Sequence, residues 1–85
     1  MALFLIERQY AEELEIAAAD VASIQRINAD VGVNWLFSFL SADRKKTYCL
    51  YEAPSPEEIR SAARRAHLPA DVVIEVSQIR PETIV

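Results

Sequence analysis

Residues 48–71, YCLYEAPSPEEIRSAARRAHLPAD, carry in succession the end of a strand, an abrupt stop, a capped helix and a proline-marked exit, and that succession decides the fold. The helix start is the sharpest local signal. Ser55 stands as N-cap, Pro56 takes the first helical position, where a missing N–H costs nothing, and Glu58 lies three residues past the cap. This spacing predicts a reciprocal box in which the Ser55 hydroxyl accepts the Glu58 amide while the Glu58 carboxylate reaches back to the Ser55 amide. Ile59, Ala62, Ala63 and Ala66 then recur at helical spacing as a packing face, with Glu57, Arg60 and Arg64 turned away. Leu68-Pro69 ends the helix, because the residue before a proline is pushed out of the helical region.

Working outward, Thr47 to Ala53 alternates, with Thr47, Cys49 and Tyr51 opposed to Tyr48, Leu50 and Glu52. Polar Ser41 to Lys46 has the composition of a hairpin loop. Val33 to Leu40 alternates too, which puts Val33, Trp35, Phe37 and Phe39 on one face and Asn34, Leu36, Ser38 and Leu40 on the other. Gly32, the only glycine, marks the turn into that strand. Ahead of it Leu14, Ala17, Ala18, Val21, Ile24 and Ile27 recur at three and four residues. They predict an amphipathic helix from Ala11 to about Asp30, with Glu12, Glu13 and Glu15 in the first turns, where the dipole favours acids. Leu3 to Ile6 is a short apolar run suited to a central strand, and Glu7 to Tyr10 is its exit. Val72 to Val76 forms a last strand before Pro81.

The order strand, helix, strand, strand, helix, strand is the split βαββαβ of the ferredoxin-like α+β class. Right-handed crossovers place both helices on one face of a four-stranded antiparallel sheet, with the first and third strands central. The other face stays apolar and uncovered, which predicts a homodimer packed sheet to sheet as an α+β sandwich or barrel. At 85 residues and 52% apolar content the chain is expected to be a single domain, residues 1–85, and it is small enough to gain from a partner. A net charge of −4 excludes nucleic-acid and anionic-membrane binders, which need a basic face. One cysteine forms no internal disulfide, and the apolar opening meets Glu7 and Arg8 too soon for a membrane span. The expected compartment is the cytoplasm.

The run CLYEAPSPEEIRSAARRAHLPADVVIEV, residues 49–76, preceded by the aromatic strand around Trp35 and Ser38, resembles a family of small bacterial proteins catalogued as a domain of unknown function. That family includes nickel-binding members with a dimeric ferredoxin-like fold. The resemblance implies a dimer and a role in binding nickel or another divalent metal. It brings no catalytic set, and no organic cofactor is expected. His67 stands where members usually carry glycine before Leu-Pro, and no family ligand maps onto this chain.

Two sets of candidate site residues follow. His67 and Asp71 flank the turn after the second helix and offer one imidazole and one carboxylate to a borderline cation, although His67 is more simply accounted for as a helix cap in the left-handed conformation. With one histidine and one cysteine there is no zinc or iron spacing, so a metal site would be shallow, water-rich or shared between subunits. The second set, Trp35, Ser38, Tyr48, Cys49 and Tyr51, would line a pocket against the sheet. Alternation alone also accounts for the aromatics as core or interface, and for Cys49 as a small buried hydrophobe. Three classes remain open: a metal-binding protein, a small-ligand-binding protein or small enzyme with a pocket between sheet and helices, and a protein interaction or regulatory module.

Overall fold

The computed structural model describes residues 1–83. Its elements in chain order are β1 (Ala2–Gln9), α1 (Ala18–Asp30), β2 (Asn34–Leu40), β3 (Lys46–Ala53), α2 (Pro56–Ala66), β4 (Val72–Val76) and a short 3₁₀ turn, Pro81–Thr83. The strands form one sheet in the order β2-β3-β1-β4, every neighbouring pair antiparallel, so the ferredoxin-like topology is present with β1 and β3 central. No helix among the described residues is long and apolar enough to cross a membrane.

The core lies between the sheet and α2. Phe4 and Ile6 of β1 are opposite Tyr51 and Cys49 of β3, and all four are buried with Ala53, Val33 and Ile59. Helix α2 supplies Ile59, Ala62 and Ala63, the packing face its spacing predicts. Its start departs from the expected box. The Ser55 hydroxyl donates to the Glu58 carboxylate instead of accepting the Glu58 amide, so the side chains close on each other at the helix entrance. Its end is a Schellman closure, in which His67 at φ 56° donates to the Arg64 carbonyl and Leu68 to the Ala63 carbonyl.

Helix α1 begins at Ala18, seven residues later than its apolar spacing predicts. Residues 11–17 run as irregular chain because their backbone groups are held elsewhere. The Tyr10 and Leu14 amides donate to the carbonyls of Lys45 and Arg44, and Arg44 Nη2 returns a bond of 2.8 Å to the Leu14 carbonyl. Glu12, Glu13 and Glu15 are therefore exposed in this segment and lie outside the helix. The first turn is instead closed by Asp20, whose carboxylate accepts the Ala17 amide. Asn28 is the only buried residue of α1, and Val21, Ile24 and Ile27 are half-buried. Helix α1 rests on α2, where Arg65 pairs with Asp30 at 2.9 Å, and leaves a gap over the sheet.

The strict alternation expected for β2 also breaks. Trp35 pairs with Tyr51 and Phe37 with Leu50, so two residues of β2 span one step of β3 and Leu36 is the extra residue of a bulge. A one-residue insertion moves everything beyond it to the other face. Trp35, Ser38 and Leu40 consequently face the helices, while Phe37 and Phe39 face the open side and meet edge to face at 5.5 Å.

Candidate functional site

The bulge in β2 and the late start of α1 together make a cavity of about 190 Å³ between the sheet and α1. Its floor is Trp35, Ser38 and Leu40 of β2 with Thr47, Cys49 and Tyr51 of β3. Its roof is Val21 and Ile24 of α1, and the irregular segment closes one side with Tyr10, Leu14 and Ile16. Four of the five pocket residues expected from the sequence, Trp35, Ser38, Cys49 and Tyr51, thus share one cavity. The fifth, Tyr48, does not. Strand pleating turns it to the open face opposite Phe39, where Lys46 Nζ lies 5.0 Å from the ring centroid.

The polar groups of the cavity are mostly engaged with one another. Trp35 Nε1 donates to Ser38 Oγ at 2.8 Å, and the indole stacks on Tyr51 with ring centroids 6.4 Å apart. The hydroxyls of Tyr10 and Thr47 are 3.1 Å apart. Burial pushes the Tyr51 phenol upward from its ordinary value, the positive charge of Arg8 opposing the shift.

Arg8 is the functional candidate that reading the sequence missed. It continues the inward-facing row of Phe4 and Ile6, pairs with Thr47 across the strands and lines the cavity at 3% exposure. The signal was present in the period of two, but Glu7 to Tyr10 reads as a polar exit and β1 in fact continues to Gln9. The Arg8 guanidinium carbon lies 5.5 Å from the Tyr51 ring centroid, while Nε and Nη1 are buried without hydrogen-bond partners.

The metal candidates are not assembled. His67 is exposed beside a groove of about 310 Å³ between α1 and α2, shared with Glu15, Asp20 and Arg65. Asp71 is absent from that lining and spends Oδ2 on the Gln9 amide at 2.7 Å, fastening the end of β1. Among the described residues no three histidine, cysteine, aspartate or glutamate side chains come together so as to hold a metal ion. The donor set of one chain does not fit a closed nickel site.

A family described as "Nickel responsive protein SCO4226-like" matches residues 4–76. The fold is similar to that in the crystal structure of SCO4226 from Streptomyces coelicolor A3(2), with a TM-score of 0.71 and 22% identity over 93% of this chain and 100% of the other. No curated protein matches the chain.

Proposed function

This chain belongs to the SCO4226-like family of nickel-responsive proteins, and from that premise we propose that it serves in the cytoplasm as a small-ligand-binding protein whose site is the cavity under α1. The observation that carries this reading is the cavity itself. It is apolar, lies between the sheet and a helix that buries a single residue, and carries a few polar groups on its walls. That is the usual make-up of a small-molecule site. A protein of this size that needed only stability would seat Val21 and Ile24 on the sheet, because each half-buried aliphatic forfeits part of about 1.5–3 kcal/mol. Trp35 is the only tryptophan, so its emission reports on the cavity. Phenol, indole and benzoate titrated into the full chain should give at least one saturable change, which Ser38→Leu, filling the floor, should remove. No saturable response to any of the three would refute this function.

A second reading is favoured by the family description and by the exposed imidazole side chain of His67, which borders a groove that also holds Glu15 and Asp20. Nickel would bind there at an open position completed by water or by a second copy, with modest affinity, since the chain offers one imidazole and otherwise hard oxygen donors. Calorimetric titration of wild type against His67→Gly is the appropriate comparison, because glycine suits the left-handed conformation at that position and keeps the helix closure. A weaker isotherm for the variant supports this second reading; equal isotherms remove His67 from it.

A further inference from the structure

Arg8 is the only charged side chain among the buried residues described, and none of the ion pairs found among the described residues includes it. A guanidinium does not escape burial by losing its proton, so it needs an anion or water in reach. The Tyr51 ring supplies a cation–π contact, which is weaker than an ionic partner, and burial keeps the phenol itself protonated at neutral pH. Two of the guanidinium nitrogens, Nε and Nη1, are left buried without hydrogen-bond partners, on a residue that lines a mostly apolar cavity. Buried charges in folded proteins are paired, and this one has no ionic partner among the described residues.

We propose that the ligand supplies the counter-ion: the cavity takes a small monocarboxylate with a compact apolar or aromatic body, its carboxylate on Arg8 and its body against Trp35, Val21 and Ile24. This deepens the ligand-binding reading above and rests on it. The flat fork of a guanidinium matches two carboxylate oxygens, which gives orientation as well as attraction. The lining limits the ligand to one acid group. Tyr10 and Thr47 satisfy each other, Ser38 is engaged by Trp35, and apart from Cys49 and Tyr51 the remaining walls are aliphatic, so a second negative charge would find no second cation. Size is limited as well, for about 190 Å³ lies below the roughly 300–1,000 Å³ of sites for drug-sized molecules.

The test compares benzoate with benzamide, which has nearly the same shape and no charge, on the wild-type chain through Trp35 emission, with phenyl phosphate as a third arm. Benzoate should bind at least about tenfold tighter than benzamide, as expected when a charged partner replaces a neutral one at a buried cation. Arg8→Met should abolish that preference while benzamide binding persists, and Arg8→Lys should restore part of it. The wild-type comparison stands even if a variant does not fold. Equal affinity for benzoate and benzamide would overturn the carboxylate assignment and leave the cavity as a neutral-ligand site. Tighter binding of phenyl phosphate than of benzoate would overturn the single-charge assignment. Silence from all three probes would overturn the carboxylate assignment, and silence from phenol and indole as well would overturn the cavity reading along with it.

Discussion

At the scale of single residues, Arg8 and Ser55 show how a side chain's partner decides its effect. Replacing a buried ionic group by an apolar residue of similar volume commonly stabilises a protein, and Arg8 has no ionic partner among the described residues to lose. Arg8→Met is therefore expected to raise the unfolding free energy by about 1–4 kcal/mol, read as a higher urea midpoint at unchanged slope. A lower midpoint would mean that the guanidinium is already satisfied in solution. Ser55 behaves differently from a standard cap, because its hydroxyl serves the Glu58 carboxylate and no helix amide. Ser55→Ala should accordingly cost about 0.5 kcal/mol, the low end for loss of a cap. The Ser55 hydroxyl, and after it the Glu58 backbone amide, hold the Glu58 carboxyl below its ordinary value of 4.5. A carboxyl depressed in the folded state contributes stability above the ordinary value and loses it as pH falls through the lower folded value. In Ser55→Ala the Glu58 titration, followed by carboxyl-carbon NMR, should move up towards 4.5.

At the scale of elements, the two helices are unequal although both flank the same sheet. Helix α2 buries Ile59, Ala62 and Ala63, whereas α1 buries Asn28 and holds its aliphatic residues half out of the core. Local opening follows burial, so α1 amides should exchange with solvent well before those of β1 and β3. Ile59→Ala should cost about 2–5 kcal/mol, as core truncations do, and Ile24→Ala distinctly less. Equal protection of α1 and the central strands in hydrogen exchange would show that the helix closes fully onto the sheet in solution. A carboxylate in the cavity should slow exchange in α1 in particular, since Val21 and Ile24 form the roof over it.

For the whole molecule, the sheet's open face is the dominant unpartnered feature among the described residues. Register places Leu5, Leu50 and Ile74 side by side across it, with Phe37 and Phe39 towards one edge and Val72 and Val76 towards the other. Phe39 is 65% exposed and Ile74 46%. We propose that a second copy covers this face. Its aromatic flank and aliphatic flank lie on opposite sides of a shared apolar centre, so a two-fold axis through that centre sets each flank on its complement. Sedimentation should find a dimer at micromolar concentration, and Phe39→Lys should shift it to monomer with the fold retained, as judged by circular dichroism. A folded wild-type monomer at those concentrations removes the proposal.

The sequence by itself determined the order of elements, the topology and the closure of α2, because each is written in neighbours along the chain: Ser55-Pro56 at the helix start, His67 in the left-handed position, Gly32 at φ 74° and the unbroken period of two in β3. Strand order then follows from the handedness of the crossovers. Only the tertiary structure decided the site, because each feature that makes it depends on a partner distant in sequence. The bulge at Leu36 exists in the pairing of β2 with β3, and it divided the aromatic row that strict alternation had placed on one face. The first turns expected of α1 were lost to backbone bonds with residues 44 and 45, some thirty positions away. Asp71 went to the Gln9 amide, and Arg8 became a buried cation only when Thr47, Tyr51 and α1 closed around it. Local propensity specifies which segments are helix or strand, whereas the burial of a charge and the opening of a cavity are set by packing between segments that the chain brings together only on folding.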